Sequence, residues 1–431
     1  MNLLHTGVLT TVATLVRLST AFIVNKVVAI TIGPAGLAVL GQVQNATSIL
    51  QNLSAGIFGT AVVKQAAHLK NDREGREAFL RLVFTVTLGL SVVAGSGTIL
   101  LAGWISRWLI GDASHAWVFI ILGLCLPGFA ISTLVLSAVN GAGDVSSLTR
   151  MNIAQSILGL CIAAGLPLWF GLDGAMAGAA MTGVVALLAV AMEVRRHAWL
   201  KFVRIRWRAD KVELRRVGRF ATMAIASGIC APVAQILVRQ WIATRCSAAE
   251  AGQWQGIVRF SGAYSIFFTA ILGVYCVPRF AQLGAQGLGT ELRSIYTKLL
   301  PVAALAFGGI WLTRDLSIPW LFSPEFAPMK NILGLQLAGD FLRLGGWVLG
   351  ALILAREQTL AFVATEIGFN ALYVATSFWL VGSDGAGGAR GAVAAWALLY
   401  ALYWPVLALL CRGVVRRGVP GRAANPSNDA T

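Results

Sequence analysis

The residues of this 431-residue chain that could do chemistry are charged side chains inside long apolar segments. Arg17, Arg343 and Glu366 each interrupt such a segment, in a sequence that is 57% hydrophobic and 12% charged. A charge within hydrocarbon costs about 2.5–3.5 kcal/mol on insertion scales, so such groups normally face a bundle interior or a wet cavity. The sequence has no Walker A loop, GxSxG, HExxH or dinucleotide fingerprint. The chemistry it offers is therefore ligand recognition within a membrane.

The first charged residue, Arg17, shares a helical face with three polar side chains. These are Thr10, Thr14 and Asn25, which fall within about 100° when each residue turns the helix by about 100°. We expect this stripe to line a wet passage, where a guanidinium offers five donors in a planar fork that suits phosphate oxygens. Lys26 lies opposite Arg17, so it either lines the cavity too or extends to the membrane surface.

Acidic residues occur in two later segments. Gln336, Asp340 and Arg343 stand at i, i+4 and i+7 on one helix face, where Asp340 and Arg343 can neutralise each other. Glu366 has no basic neighbour in its own helix and needs a proton or a partner from another helix. We predict that Asp340 and Glu366 are coupling or structural carboxylates.

The apolar segments thus contain more cations than anions, which favours an anionic head group as the ligand. A proton- or Na⁺-coupled exporter of cationic drugs would favour the reverse. No CxxC motif or Cys/His cluster suggests zinc, and neither a metal nor a cofactor is expected. The predicted substrate-binding cations and polar groups are Arg17, Asn25, Lys26, Lys64, Gln255, Arg259, Gln336 and Arg343.

Membrane-spanning helices must position these groups. An ordinary soluble domain has about 45–50% apolar and roughly 25% charged residues, so the composition excludes a soluble enzyme, a disordered protein and a secreted disulfide scaffold. A spanning helix needs about 20 mostly apolar residues. Twelve such segments are predicted, near 8–31, 37–63, 79–103, 116–139, 148–169, 174–194, 219–243, 253–277, 295–313, 331–354, 360–381 and 391–411.

The distribution of basic residues predicts the topology. With twelve spans both termini share one side, and placing that side in the cytoplasm puts 24 of the 34 Lys and Arg residues there against seven outside. This is the bias of the positive-inside rule, so the net charge of +16 requires no nucleic acid as partner. Ten of these cations fall within residues 195–219, which either bind anionic lipid or form a topogenic linker.

The same basic stretch divides the chain into two halves of six spans. A shift of 217 residues brings Gly171–Ala177 onto Gly388–Ala394, which suggests an internal repeat. Two such halves would be related by an axis along the membrane normal, with a substrate path between them. The predicted division is an N-terminal six-helix lobe over 1–196, a cytoplasmic linker over 197–218, a C-terminal six-helix lobe over 219–412 and a disordered cytoplasmic tail over 413–431.

Short motifs spread over nearly the whole chain match one known family. They are Gly33–Leu37, Ala55–Phe58, Lys64, Trp254–Gly256, Phe326–Lys330, Gln336–Asp340, Arg343, Ala355 and Glu366. In these motifs the sequence resembles the Wzx-type lipid-linked oligosaccharide flippases. It departs from that family where Arg343 stands in place of a frequent Lys and where Arg259 is basic. The glycan is therefore left open among enterobacterial common antigen, O-antigen and exopolysaccharide repeat units.

The resemblance implies an all-α integral membrane protein of the multidrug/oligosaccharidyl-lipid/polysaccharide (MOP) exporter fold. Such a protein has about 12 transmembrane helices in two six-helix lobes around a central cavity. The implied activity is alternating-access transfer of an undecaprenyl-diphosphate-linked oligosaccharide from the cytoplasmic to the periplasmic leaflet of the bacterial inner membrane. The implied partners are this lipid, membrane lipids, and the polysaccharide polymerase and chain-length machinery.

Two other functions stay open. A cation-coupled multidrug exporter of the same superfamily is disfavoured by the cationic interior. A membrane glycan polymerase or ligase would usually present a sizeable outer loop, whereas the longest predicted outer segment, Arg314–Lys330, has only about 17 residues.

Overall fold

Helices make up the fold in the computed structural model, which describes residues 3–69, 72–194, 211–283, 285–356, 358–382, 384–385 and 387–417. Long apolar segments in lipid must satisfy their backbone N–H and C=O groups internally, and a helix does so. Two π-helical turns, Asn52–Gly56 and Leu272–Cys276, and one 3₁₀ turn, Pro324–Phe326, interrupt or join the α-helices. The α-helices are α1 Leu3–Gln51, α2 Ile57–His68, α3 Arg73–Leu100, α4 Ala102–Ile110, α5 Ala116–Ala142, α6 Val145–Ala180, α7 Thr182–Val194, α8 Lys211–Arg245, α9 Ala248–Ile271, α10 Val277–Gln282, α11 Ala285–Leu312, α12 Arg314–Leu321, α13 Met329–Ala355, α14 Thr359–Val381 and α15 Gly388–Arg417.

Two of these helices reverse direction at a glycine. Gly33 has a φ of 61° inside α1, and Gly171 has a φ of 56° inside α6. Glycine adopts positive φ without steric cost, so the chain can fold back there. Arg17, before the turn, lines the same cavity as Arg259, and Gln44, after the turn, accepts a hydrogen bond from Arg259. α1 is therefore two antiparallel spans, and α6 also folds back, because its start contacts the end of α7.

The all-α, multi-pass membrane fold predicted from the sequence is confirmed. Each of the twelve predicted segments coincides with a helical stretch. Within the described ranges, eight helices are long and apolar enough by themselves to cross a membrane. Two of these eight, 12–63 and 145–180, contain the glycine reversals and lead into a second crossing. The number twelve stays a prediction.

The helices form two lobes. In the N-terminal lobe, α1–α7, α6 packs along α1 and α5 packs against α3 and α7. In the C-terminal lobe, α8–α15, α13 packs against α15 and α14 against α8. The lobes meet where α1 contacts α8 and α9. The contact is close enough to require glycine, because a Cβ at Gly252 would lie 1.7 Å from the Pro34 carbonyl oxygen.

Both lobes contain the same local distortion. A π-helical turn interrupts the second span of each lobe, starting at Asn52 in one and at Leu272 in the other. Their separation is close to the 217-residue shift that relates the two halves of the sequence. The matching positions of the two π-helical turns support an internal repeat. Such turns often occur at functional sites.

Two helices extend across predicted boundaries. α8 begins at Lys211 and α15 ends at Arg417, so residues 211–218 of the predicted linker and 413–417 of the predicted tail are helical. Hydropathy detects only the part of a helix within hydrocarbon, whereas Lys, Arg and Glu continue a helix well beyond it. The rest of the linker and tail, 197–210 and 418–431, lies outside the described residues, and the four-part division stays a prediction.

Candidate functional site

A cavity of about 480 Å³ lies between the lobes, and we call it the lobe cavity. α1 and α6 form its wall on the N-terminal side, and α9 forms the opposite wall. Its polar lining consists of Arg17, Asn25 and Arg259, which the sequence predicted, and Thr20, Gln155 and Ser156, which it did not. None of the described residues that line it is acidic, so the cavity is cationic.

Part of the predicted α1 stripe reaches this cavity. Arg17 is exposed to it, and Asn25 lies two turns further along the same wall. The Asn25 Nδ2 donates to the Leu321 carbonyl at 3.4 Å, while its Oδ1 is buried and accepts no hydrogen bond from any described residue. A buried acceptor normally finds a partner such as water or ligand. The side chains of Thr10 and Lys64 lie outside the described residues.

Arg259 connects the two lobes across the cavity. Its Nη2 donates to the Gln44 Oε1 at 2.6 Å. The partner is a neutral amide, so the bond orients the guanidinium without neutralising its charge. In the part of the chain that the structure describes, no carboxylate forms an ion pair with Arg259 or with Arg17. Both charges are therefore available to an anion.

Arg239 of α8 is a buried cation that the sequence analysis left out of the candidate site. It is 1% exposed. Its Nε donates to the Gln255 Oε1 at 3.0 Å and its Nη1 to the Gln42 Oε1 at 2.7 Å. Gln255, a predicted substrate-binding residue, is thus occupied. The sequence did offer one sign of a polar helix face here, since Gln235 stands four residues before Arg239. The surrounding apolar pattern, however, could not show whether Arg239 is buried or lies at the membrane surface.

Lys26 joins the lobes and does not line the lobe cavity. Its Nζ donates to the carbonyls of Pro319, at 2.8 Å, and Phe322, at the end of α12. The segment that Lys26 holds is itself anchored, because the Lys330 Nζ lies 3.0 Å from the Asp315 Oδ1. The hydrogen bond from Lys330 lowers the pKa of Asp315 from its ordinary value. Lys26 thus forms a contact between the lobes, and its two predicted roles, cavity cation and surface snorkel, stay predictions.

These contacts close one end of the lobe cavity, which we call the distal end because it lies opposite Leu3 and Arg417, the first and last described residues. The Gly33 turn, Pro34 against Gly252, and Lys26 against the end of α12 all lie there. Arg17 is about 12 Å from Asn25 along α1, at 1.5 Å for each of eight residues. The guanidinium of Arg17 therefore lies in the part of the lobe cavity away from the closed distal end.

Asp340 of α13 is buried at the centre of a hydrogen-bond network in the C-terminal lobe, with 1% exposure. Arg343 is 3.1 Å from its Oδ1, so the ion pair that the i, i+3 spacing allowed does form. Arg343 also lies 4.5 Å from the Trp347 ring centroid. The hydrogen-bond donors to Asp340 are Ser261, Tyr264, Gln336 and Trp396. The polar groups of three residues are thus already bonded to one another and to neighbouring side chains: Asp340, Gln336 and Arg343.

A second cavity, of about 490 Å³, lies inside the C-terminal lobe, and we call it the C-lobe cavity. Glu366 and Asn370 line it, and the Asn370 Nδ2 donates to the Glu366 Oε1 at 3.2 Å. Among the described side chains, no cation forms an ion pair with Glu366. Within the described ranges, no three His, Cys, Asp or Glu side chains converge as a metal site requires.

The two lobes and the cavity between them define a class of protein. The structure superposes on the inward-facing conformation of a multidrug resistance MATE family transporter of the MOP superfamily with a TM-score of 0.76. The two share 15% identity, and the match covers 94% of this chain and 99% of that one. An outward-facing MATE structure gives a TM-score of 0.64 at 16% identity over 95% of each chain. The fold is that of MOP-superfamily membrane transporters.

Sequence comparison identifies the family within that class. Residues 3–284 match the polysaccharide biosynthesis protein family, and the chain belongs to it. It is 29% identical over 418 residues to the lipid III flippase of Escherichia coli (strain K12), covering 96% of this chain and 98% of that protein.

Proposed function

We propose that this protein is a flippase that moves undecaprenyl-diphosphate-linked oligosaccharide from the cytoplasmic to the periplasmic leaflet of the bacterial inner membrane. The family, the relative named lipid III flippase and the transporter fold support the proposal. The observation that carries the proposal is the lobe cavity, which Arg17 and Arg259 both line and in which no described lining residue is acidic. The glycan stays open among lipid III, O-antigen and exopolysaccharide repeat units.

A cavity with two such guanidinium groups selects an anion. Each offers a planar fork of donors that matches phosphate oxygens, and charge-assisted hydrogen bonds of this kind are about twice as strong as neutral ones. A cationic drug would be repelled by the same two charges. The multidrug exporter is therefore the weaker candidate, although solved transporters with this fold carry that description.

The closed distal end gives alternating access a direction. The diphosphate and sugars would enter the lobe cavity from the end that carries the chain termini, while the polyprenyl tail stays in lipid. Parting the lobes at the distal end would then release them on the opposite side. Such a path is needed because a charged glycan cannot cross about 30 Å of hydrocarbon unaided. Polymerase and chain-length proteins are proposed partners on the release side.

Complementation tests the proposed function. Expression in a bacterial strain deleted for its lipid-linked oligosaccharide flippase should restore the surface polysaccharide and remove the lipid-linked intermediate that accumulates. The same strain should show no change in its susceptibility to cationic drugs. Drug efflux without restored polysaccharide would instead identify a multidrug exporter.

A second prediction concerns the proposed topology, in which both termini are cytoplasmic and the distal end is periplasmic. In a cysteine-free background, single cysteines at Asp173 and Asp384 should react with an impermeant maleimide added to intact spheroplasts. A cysteine at Asp72 should react only after permeabilisation. All three positions are exposed. Labelling of the Asp72 position in intact spheroplasts would overturn the orientation.

The Lys26 contact predicts a measurable opening of the distal end. Lys26→Met removes two hydrogen bonds from a charged donor, each worth about 1.5–3 kcal/mol. A single cysteine at Thr20, which lines the lobe cavity, should then react with periplasmic maleimide roughly tenfold faster or more. Arg314→Gln is the matched control, because Arg314 lies at the same end but stacks on Trp311 of its own lobe. Equal rates in all three backgrounds would contradict a sealing role for Lys26.

A further inference from the structure

The C-lobe cavity differs from the lobe cavity in position and in chemistry. α8, α9, α13, α14 and α15 surround it, and no described residue lines both cavities. Its volume, about 490 Å³, falls in the range of about 300–1,000 Å³ for pockets that hold a small ligand. A second ligand-sized space therefore exists within one lobe.

Aromatic rings form much of the C-lobe cavity wall. Phe369, Trp396 and Tyr400 contact one another, with ring centroids of Phe369 and Tyr400 4.5 Å apart and those of Trp396 and Tyr400 4.8 Å apart. Tyr403 extends the cluster at 5.0 Å from Phe369. All four rings are rigid, and those of Trp396, Tyr400 and Tyr403 carry a polar group at one edge, which is suited to ligands with both apolar and hydrogen-bonding faces.

The polar groups of the cavity are a carboxylate, amides and hydroxyls, and the one described cation in the lining, Arg343, is already paired. Glu366 is hydrogen-bonded by the neutral Asn370, and the Gln235 amide also lies in the wall. Arg343 reaches the cavity, but Asp340 holds its charge in an ion pair. A phosphate would therefore meet the Glu366 carboxylate without a compensating cation.

This chemistry selects among the parts of the proposed substrate. The diphosphate is excluded by charge. The polyprenyl tail is disfavoured because it would leave the partly buried Glu366 carboxylate with only the Asn370 amide as a donor. A sugar ring fits both the aromatic wall and the polar groups of the cavity. Its C–H face packs on aromatic rings, while its hydroxyls donate to a carboxylate and accept from an amide.

α9 connects the two cavities. Arg259 and Ile266 line the lobe cavity, and Thr269 and Leu272 line the C-lobe cavity. Ile266 and Thr269 are about 4.5 Å apart along the helix axis, at 1.5 Å per residue. The π-helical turn Leu272–Cys276 begins in the wall of the C-lobe cavity. The C-lobe cavity also lies next to the Arg259 segment of α9, because Arg343 of its wall donates to the Ser261 hydroxyl, two residues from Arg259.

We infer that the C-lobe cavity binds the sugar next to the diphosphate, with Glu366 and Asn370 bonding its hydroxyls and Tyr400 packing on its ring. This inference rests on the proposed function. The inference assigns the two parts of the substrate to different sites. Arg17 and Arg259 bind the diphosphate that every lipid-linked glycan shares, and the C-lobe cavity determines which sugar is bound.

Two probes test this inference on the purified full-length protein in lipid nanodiscs. One is undecaprenyl diphosphate, and the other is undecaprenyl diphosphate carrying a single N-acetylhexosamine. Wild type should bind the glycosylated probe more tightly. Glu366→Gln, which keeps the side-chain shape, should weaken binding of the glycosylated probe about tenfold and leave the bare probe unchanged. Tyr400→Leu should have the same selective effect, and retained binding of the bare probe shows that each variant is folded.

Glu291→Gln is the matched control, because Glu291 is a carboxylate of the same lobe that accepts from Tyr275 and lines neither cavity. It should change neither affinity. The sugar site is overturned if wild type does not distinguish the probes, or if Glu366→Gln and Tyr400→Leu weaken both equally. The flippase proposal itself fails if wild type binds neither probe, whereas intact binding of the bare diphosphate by Arg17→Ala would remove only Arg17 from the diphosphate site.

Discussion

Arg17→Ala is expected to abolish transport and to leave the amount of membrane-inserted protein unchanged. Arg17 lies about 4.5 Å along the helix axis from the middle of its predicted span, at three residues of 1.5 Å each, which is too deep for easy snorkelling. It lines the lobe cavity with Arg259, where no described lining residue is acidic. Each charge-assisted hydrogen bond lost to a phosphate should cost about 1.5–3 kcal/mol, so transport should fall at least about tenfold per bond. Complementation of the flippase-deleted strain and an immunoblot of membranes measure both quantities.

Three further variants define what the Arg17 result means. Arg17→Lys should keep part of the activity, because a point charge replaces the fork of donors, and Arg259→Ala should lower activity in the same direction. Arg293→Ala is the control, since Arg293 is exposed on α11 and lines neither cavity. Full activity in Arg17→Ala would remove this residue from the substrate path, and loss of the protein itself would make it a structural partner.

Asp340→Ala should have the largest effect on stability. The substitution removes the acceptor for four hydrogen-bond donors and leaves the Arg343 guanidinium, whose side chain is only 11% exposed, without its carboxylate. Breaking a buried ion pair by removing one partner costs about 3–5 kcal/mol. We expect little monodisperse protein in fluorescence-detected size-exclusion chromatography after mild heating, under conditions in which wild type survives.

A double variant tests the cause of that loss. Asp340→Ala with Arg343→Met removes both charges and should recover much of the heat resistance that Asp340→Ala loses, because no isolated charge remains buried. Asp315→Ala is a suitable comparison, since it breaks an exposed ion pair with Lys330 and should leave the size-exclusion profile unchanged. If the double variant is no more resistant than Asp340→Ala, the network acts through its neutral hydrogen bonds and not through the ion pair.

Local patterns predicted the features that depend on one helix at a time. The 100° periodicity placed Arg17 and Asn25 on one face, and both line the lobe cavity. The i, i+3 spacing allowed the Asp340–Arg343 pair, which forms. Local patterns could not predict the partners of Lys26 and Gln255, because those partners lie on other helices. Lys26 donates to a carbonyl of α12, and Gln255 accepts from Arg239 of α8.

The sequence by itself determined that this protein crosses a membrane repeatedly and that it carries cations at depth. Both follow from local composition, because hydrocarbon penalises each charge wherever it lies along a span. Only the tertiary structure decided which of those cations are available to a ligand. Arg239 and its partner Gln42 are 197 residues apart, and Asp340 and its donor Ser261 are 79 apart. Arg17 and Arg259 have no described carboxylate within reach, while Arg343 has one. Whether a buried charge is neutralised depends on which helices pack together, and that packing brings together residues that no local pattern relates.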